Sequence, residues 1–126
     1  MIYERATSKT FEQVDQGLRD SAAKHKFGVI AVHDLAQTMR NKGVEFDGQC
    51  WVYEVCQPRQ AKRVLEANGV VSTALPCRIS VYRKGDELRI ATIKPTALMG
   101  MLGDASLEPV AREVEDVVVA MIDESS

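Results

Sequence analysis

Two cysteines that each stand close to a proline are the residues of this chain best suited to chemistry. Cys56 lies in the segment Val-Cys-Gln-Pro and Cys77 lies in Leu-Pro-Cys-Arg. Because proline has no N–H and is rare inside sheets, each motif predicts the end or the start of a strand. If these strands are antiparallel neighbours, both thiols lie at one rim of a sheet. There they could form a disulfide, hold a thiophilic metal or carry a persulfide.

Other residues are candidates to assist these thiols. Arg78 follows Cys77 directly, and a neighbouring guanidinium could lower the pKa of a thiol. His33 stands at a predicted strand exit, where it is a candidate base or third ligand for a soft metal. Met99 and Met101 could also serve a soft metal, although methionine more often fills gaps in a core.

The cysteines also have a purely structural explanation. Free cysteine is among the most buried residue types, so Cys56 and Cys77 could be small core residues at strand ends. Side-chain alternation places Cys56 opposite the row formed by Trp51, Tyr53 and Val55. The pattern therefore does not fix whether the two thiols point to the same side of the sheet.

The composition limits the function classes. The chain has 126 residues, 27% of them charged, and a net charge of −2 with no long basic cluster, which argues against nucleic-acid binding. No apolar run reaches the roughly 20 residues that span a bilayer, and the first residues lack a signal-peptide pattern. Three cysteines do not suit a secreted disulfide framework. We expect one cytoplasmic domain, residues 1–126, that binds neither nucleic acid nor membranes.

Common enzyme signatures are missing from the sequence. It contains no Cys-x-x-Cys, Gly-x-Ser-x-Gly or His-Glu-x-x-His segment and no phosphate-binding glycine-rich loop. We therefore assign no catalytic residue, expect no resident cofactor or metal, and do not expect a conventional hydrolase or transferase.

The hydrophobic periodicity predicts an α+β fold. The predicted strands span residues 3–8, 27–32, 50–57, 76–83 and 87–94, and the predicted helices span 10–25, 34–43, 58–67 and 106–122. Thr10 with Gln13 and Asp34 with Gln37 have the spacing of capping boxes. Both long helices carry apolar stripes that we expect to pack on one face of the sheet. The tail at 123–126 is expected to fray.

The second sheet face needs its own explanation. Trp51, Tyr53 and Val55 form one apolar row along the third predicted strand, and we expect this row to cover a ligand or meet another subunit. We therefore expect a homodimer that buries part of this row or an edge strand.

Three segments resemble one known family. Phe-Gly-Val at 27–29, Cys-Gln-Pro at 56–58 and Leu-Pro-Cys-Arg at 75–78 are similar in order and context to the bacterial and archaeal family called domain of unknown function 302. The resemblance covers roughly residues 2–122. It implies a fold like one repeat of the TATA-binding protein, with a curved antiparallel sheet, and it implies homodimers but no established activity. Gln57 stands where the family often has Asn, so the turn here is expected to differ slightly.

These observations predict a small homodimeric ligand-binding or thiol-handling protein of the redox or persulfide kind. Its groove would lie between the sheet and segment 96–103, with Cys56, Cys77 and Arg78 at one end, open to a small ligand or a redox partner protein. We expect the two sulfurs to lie within roughly 8 Å of each other. Two alternatives remain open. One is a protein-interaction or ligand-sequestering module with structural cysteines. The other is a copper(I) carrier that uses both cysteines with His33 or a methionine.

Overall fold

The computed structural model describes residues 1–126, and its fold is α+β, as the sequence predicts. The strands are β1 (Ile2–Thr7), β2 (Gly28–Asp34), β3 (Cys50–Cys56), β4 (Cys77–Lys84) and β5 (Glu87–Ile93). The helices are α1 (Phe11–Lys24), α2 (Leu35–Asn41), α3 (Pro58–Ala67), α4 (Pro95–Gly100) and α5 (Glu108–Ser125). Short 3₁₀ turns cover Gly69–Ala74 and Ala105–Leu107.

The five strands form one sheet in the order β1-β5-β4-β3-β2, and every neighbouring pair is antiparallel. In the ladder of β3 and β4, Tyr53 lies opposite Ile79 and Val55 lies opposite Cys77. The strands that carry the two cysteine motifs are therefore neighbours. The end of β3 meets the beginning of β4, which is the arrangement that the motifs require for a shared site.

The two long helices pack on one face of the sheet, as predicted. Helix α1 buries Val14 and Leu18, and α5 buries Val114, Val118 and Met121 in the same core cluster as the sheet residues. Each of these side chains follows the last at helical spacing, so both apolar stripes face the sheet. None of the helices is long and apolar enough to cross a membrane.

The row of Trp51, Tyr53 and Val55 faces these helices, so the prediction that it lies on the second face of the sheet is wrong. Tyr53 and Val55 are 0% and 1% exposed and belong to the core. Trp51 stacks on Phe11 of α1 with ring centroids 3.7 Å apart. Alternation groups residues on one side of a strand, but it does not say which side the helices will cover.

The opposite side of the sheet, here called the open face, is left uncovered by α1 and α5. Alternation and register place on it the side chains of Glu4, Cys50, Val52, Glu54, Arg78, Ser80, Tyr82, Arg89 and His33. Charged pairs cross it: Arg89 Nη1 lies 2.8 Å from Glu4 Oε1, and Arg78 Nη2 lies 3.7 Å from Glu54 Oε1. This face is largely polar, with Ile2 and Ile93 as exposed apolar exceptions, whereas the helix-covered face is mainly apolar.

The helix starts follow the sequence with one exception. At α1 the backbone N–H of Gln13 donates to Thr10 Oγ1 and the backbone N–H of Thr10 donates to Gln13 Oε1, which completes the predicted capping box. At α2 the backbone N–H of Gln37 donates to Asp34 Oδ1, but the Gln37 amide turns to Asn41 Oδ1. The second capping box is therefore only half formed.

Residues 123–125 belong to α5, so the prediction of a frayed tail is wrong for these three residues. Ser125 is completely buried. A Cβ on Gly17 of α1 would lie only 3.3 Å from the Ser125 Cα, which shows how closely the two helices approach. The Ser21 hydroxyl donates to Glu124 Oε2 at 2.6 Å. The contact between α5 and α1 therefore holds in place residues whose polar local sequence predicts mobility.

Candidate functional site

A small pocket lies where the end of β3 and the start of β4 meet helices α3, α4 and α5. Its volume is about 20 Å³. That is enough for one water-sized group. The lining is uncharged and consists of Phe27, Val55, Cys56, Gln57, Gln60, Ala61, Val64, Leu75, Cys77, Met99 and Val114. The two motif cysteines thus border one apolar space.

Local sequence explains why each cysteine stands at a strand terminus. Cys56 is the last residue of β3, and Pro58 begins α3, where a missing N–H removes no helix hydrogen bond. Gln57 between them is the N-cap, and its Oε1 accepts from the backbone N–H of Gln60 at 2.8 Å. Cys77 is the first residue of β4 and follows a cis Leu75–Pro76 peptide bond.

The register brings the two cysteines close together. Cys77 pairs with Val55, and Cys56 is the next residue along β3. Strand spacing and rise place the two Cα atoms about 6 Å apart, inside the range that a disulfide spans. Regular alternation would turn Cys56 toward the open face, yet it ends the strand and borders the pocket. The predicted separation of the two sulfur atoms, within roughly 8 Å, stays a prediction.

Burial shifts the pKa of both thiols upward. It raises the pKa of Cys77 from 9.0 to about 11, and a thiolate on Cys56 adds to this rise. This effect of Cys56 on the pKa of Cys77 means that the two thiols lie near each other. Burial also raises the pKa of Cys56. At neutral pH both thiols are therefore protonated.

Burial raises the pKa of both thiols and Arg78 does not offset this rise, so the prediction that Arg78 lowers a thiol pKa is wrong. Its side chain is 57% exposed and its Nη2 lies 3.7 Å from Glu54 Oε1 on the open face. Consecutive residues of a strand point to opposite faces, which separates the guanidinium from the Cys77 sulfur. Arg78 and Cys77 do border a second cleft of about 120 Å³, together with Pro76.

His33 also lies away from the pocket. Its Nε2 is 3.3 Å from Glu54 Oε1 on the open face. Of the two candidate methionines, Met99 is 3% exposed and lines the pocket, whereas Met101 is 75% exposed and does not. The residues that the structure brings together at the pocket are therefore Cys56, Cys77 and Met99.

Gln60 is a pocket residue that the sequence analysis missed. Its Oε1 is buried and accepts no hydrogen bond, and it is the only such buried side-chain atom in the chain. An unpaired buried acceptor calls for an explanation, because a buried polar atom without a hydrogen bond destabilises the fold. The signal was present in the sequence: Pro58 fixes the helix start, which places Gln60 on the first turn beside Cys56.

Comparison with known proteins assigns the family. The family model described as "Domain of unknown function DUF302" matches residues 3–125. The chain belongs to the DUF302 family. A crystal structure of an uncharacterized conserved DUF302 protein from Bacillus stearothermophilus is similar to it, with a TM-score of 0.94 and 30% identity over 99% of this chain and 98% of that one. No curated protein matches the chain.

DUF302 membership confirms the family resemblance and the fold that it implied. The match covers nearly the whole chain, including both cysteine motifs and the pocket between them. It assigns no activity to this DUF302 protein. A functional argument must therefore come from the pocket itself.

Proposed function

We propose that this DUF302 protein handles thiols through a reversible dithiol–disulfide pair formed by Cys56 and Cys77. One observation carries the proposal: the two cysteines border the same pocket from neighbouring positions in paired strands. Cys50 is excluded from the pair, because it lies at the other end of β3 with its sulfur 3.8 Å from Ser80 Oγ.

The different burial of the two cysteines supports different roles for them in this proposal. Cys56 is partly exposed and Cys77 is buried, so Cys56 is the residue that a reagent reaches first. The Cys56 thiolate attacks a low-molecular-weight disulfide RSSR, which gives a mixed disulfide and RS⁻. The Cys77 thiolate then attacks the Cys56 sulfur and expels the second RS⁻. Two protons from the protein thiols complete two RSH, so two electrons pass from the protein to RSSR.

The raised pKa values favour a reducing pair. Thiol–disulfide proteins with a strongly depressed thiol pKa are strong oxidants, because their reduced form is stabilised. The pKa of both Cys56 and Cys77 moves in the opposite direction. The disulfide would therefore be difficult to reduce once formed, and the dithiol would act as an electron donor to its ligand or redox partner protein.

The buried Gln60 Oε1 gains a role in this proposal. The oxygen accepts no hydrogen bond and lies beside a pocket with room for one small group. It would accept from a thiol S–H in the reduced protein, and it would lose that donor on oxidation. The hydrogen bond to Gln60 Oε1 would therefore be present in the reduced protein and absent in the oxidised protein.

The test is oxidation of the native protein with oxidised glutathione, followed by intact mass and peptide mapping. We expect the loss of two hydrogen atoms and one cross-linked peptide pair that contains Cys56 and Cys77. The Cys50→Ser variant should give the same product. Cys56→Ser and Cys77→Ser should each stop at a mixed disulfide or remain reduced.

A different result would overturn the proposal. If Cys56 and Cys77 both react separately with glutathione in the folded protein and never join, they are not a pair. If Cys50 appears in the cross-link, the pocket is not the site. Circular dichroism of each serine variant verifies that a negative result comes from a folded protein.

A second candidate function is protein interaction with structural cysteines. The observation that favours it is the open face, where five strands carry a polar side-chain surface that α1 and α5 leave uncovered. A double Cys56→Ser, Cys77→Ser variant that keeps full association with its partner or with a second copy would support this function. Loss of association in a folded double variant would count against it.

A further inference from the structure

We propose that the pocket is a binding site for a soft monovalent metal ion, Cu(I) or Ag(I), held by the sulfurs of Cys56, Cys77 and Met99. The inference goes beyond thiol oxidation, since it needs both cysteines reduced and adds a third ligand that oxidation does not use. All three residues line one pocket. They come from three different elements, β3, β4 and α4.

The ligand types select a soft ion. Thiolate and thioether sulfur prefer Cu(I), whereas Zn²⁺ sites are usually built from four cysteine, histidine or carboxylate ligands. No group of three or more His, Cys, Asp and Glu side chains in the chain is arranged to hold a metal. The thioether of Met99 supplies the third donor that the two thiols otherwise lack.

The pocket also suits a desolvated ion. Its volume of about 20 Å³ leaves space for one small occupant, and its walls carry no charged side chain. A strongly hydrated hard cation prefers six or more oxygen ligands, and the one unpaired buried side-chain oxygen at the pocket, Gln60 Oε1, would not replace its water. A Cu(I) ion with two thiolates and one thioether needs no such replacement.

Met99 is held in place by contacts outside the pocket. It is 3% exposed on α4, which begins with Pro95. Glu115 of α5 fixes the first turn of this helix, because its Oε1 accepts from both the Thr96 backbone N–H at 3.2 Å and the Thr96 hydroxyl at 2.6 Å. A ligand positioned in this way does not have to be ordered when the ion binds.

Binding follows a balanced exchange. One Cu(I) replaces the protons of two thiols, so Cu⁺ and two Cys–SH give a bis-thiolate complex with charge −1 and two H⁺, with no change of oxidation state. The Met99 sulfur adds to this complex without releasing a proton. The stoichiometry is one ion per chain.

The test is anaerobic titration of the reduced protein with Cu(I) against a chromophoric Cu(I) chelator. We expect one ion per chain, with affinity lowered by roughly tenfold or more in Met99→Leu, since even residues outside a ligand shell cost that much when removed. Leucine keeps the volume of methionine, so the core stays packed. The matched control is Met101→Leu, because Met101 is 75% exposed and lies outside the pocket.

X-ray absorption at the copper edge gives a second readout. We expect three sulfur neighbours in the native complex and two in Met99→Leu. If the native protein and Met99→Leu bind Cu(I) with the same affinity, and copper has two sulfur neighbours in both, Met99 is not a ligand. Binding that persists in a folded Cys56→Ser, Cys77→Ser double variant would overturn the proposal as a whole.

The oxidation experiment separates this inference from the proposed function. Met99→Leu should still form the Cys56–Cys77 disulfide like the native protein. A protein that forms the disulfide but binds no Cu(I) contradicts the metal site alone. A protein that binds Cu(I) but forms no disulfide contradicts the dithiol function alone.

Discussion

Val55 and Cys77 lie directly opposite each other where β3 ends and β4 begins. Both are buried, at 1% and 8% exposure, because this pair of residues faces the helices. Cys56 is one residue further along β3 and is partly exposed. One register therefore gives the two thiols different accessibility, and this difference can be measured.

We predict that Cys77 is the slowest cysteine to alkylate in the folded protein. Burial hides its sulfur and raises its pKa from 9.0 to about 11. Two pKa units lower the thiolate fraction at neutral pH by about a hundredfold. Mass spectrometry of a time course with iodoacetamide should show Cys77 last and its rate rising with pH up to about 11. Rapid labelling of Cys77 at neutral pH would contradict this prediction.

Arg78→Met provides the control for the cause of the shift. Because the Arg78 guanidinium lies toward Glu54 on the open face, its removal should leave the alkylation rates of Cys56 and Cys77 unchanged. A slower reaction at either cysteine in this variant would show that the guanidinium does stabilise a thiolate.

We predict that Tyr53→Phe destabilises the fold by about 1.5–3 kcal/mol, the usual range for a hydrogen bond to a charged group. Tyr53 is completely buried and its hydroxyl donates to Asp15 Oδ1 at 2.6 Å. Burial and this bond also raise the pKa of Tyr53, so the hydroxyl stays protonated. Urea unfolding measures the change. The free energy of unfolding should fall less in the matched variant Tyr82→Phe, because Tyr82 is partly exposed and its partner Glu4 keeps its bond to Arg89.

We predict that Glu124→Gln lowers stability at neutral pH and that the loss disappears in acid. The Ser21 hydroxyl, Lys24 and His25 bind the Glu124 carboxylate and lower its pKa from 4.5 to about 2. A depressed carboxyl pKa stabilises the fold above 4.5, and this stabilisation is lost as the pH falls toward 2. Thermal unfolding of both proteins across this range should give curves that converge near pH 2.

The control for that experiment is Glu66→Gln. Glu66 Oε1 lies 3.5 Å from Lys62 Nζ, and both side chains are largely exposed. Exposed pairs of this kind contribute little, so the variant should unfold like the native protein at every pH. If Glu124→Gln behaves like Glu66→Gln, the carboxylate does not hold α5 to α1.

We predict a homodimer that forms through the β1 edge of the sheet, since helices cover the row of Trp51, Tyr53 and Val55. Ile2 lies on the edge strand β1, opposite Ile93 of the neighbouring strand β5, and the two side chains are 55% and 43% exposed. Ile2→Lys should shift the protein toward monomer in analytical ultracentrifugation. Val70→Lys, at a position with 48% exposure in the Gly69–Ala74 turn, should not. A native protein that sediments as a monomer at micromolar concentration would contradict the prediction.

Much of the fold could be predicted because its signals are local. The Thr10 capping box, the hydrophobic spacing of α1 and the proline beside each cysteine all act within a few residues. These signals give the element order and place Cys56 and Cys77 at strand termini. The family motifs add the curved antiparallel sheet, which the family match and a crystal structure of a relative confirm.

The sequence-based predictions were wrong where a contact between residues far apart in the chain determines the structure. The polar tail looked frayed because the contacts of Ser125 with α1 are made more than a hundred residues away in sequence. Arg78 looked like an activator because it is adjacent to Cys77, but the pairing of β4 with β3 places its guanidinium beside Glu54 on the open face. Met99 could not be assigned to the pocket because nothing local relates α4 to β4, whereas the position of Pro58 already placed Gln60 beside Cys56.

By itself, the sequence determined which residues share a strand face or a helix stripe, since that depends only on backbone periodicity. It also determined that both cysteines stand at strand ends, since proline limits its own neighbours. Only the tertiary structure decided which face the helices cover, and therefore that Tyr53 is core and Arg78 is exposed. Burial then set the pKa of each thiol, and packing brought Met99 to the cysteines. These outcomes depend on desolvation and on contacts across the chain, which no local pattern contains.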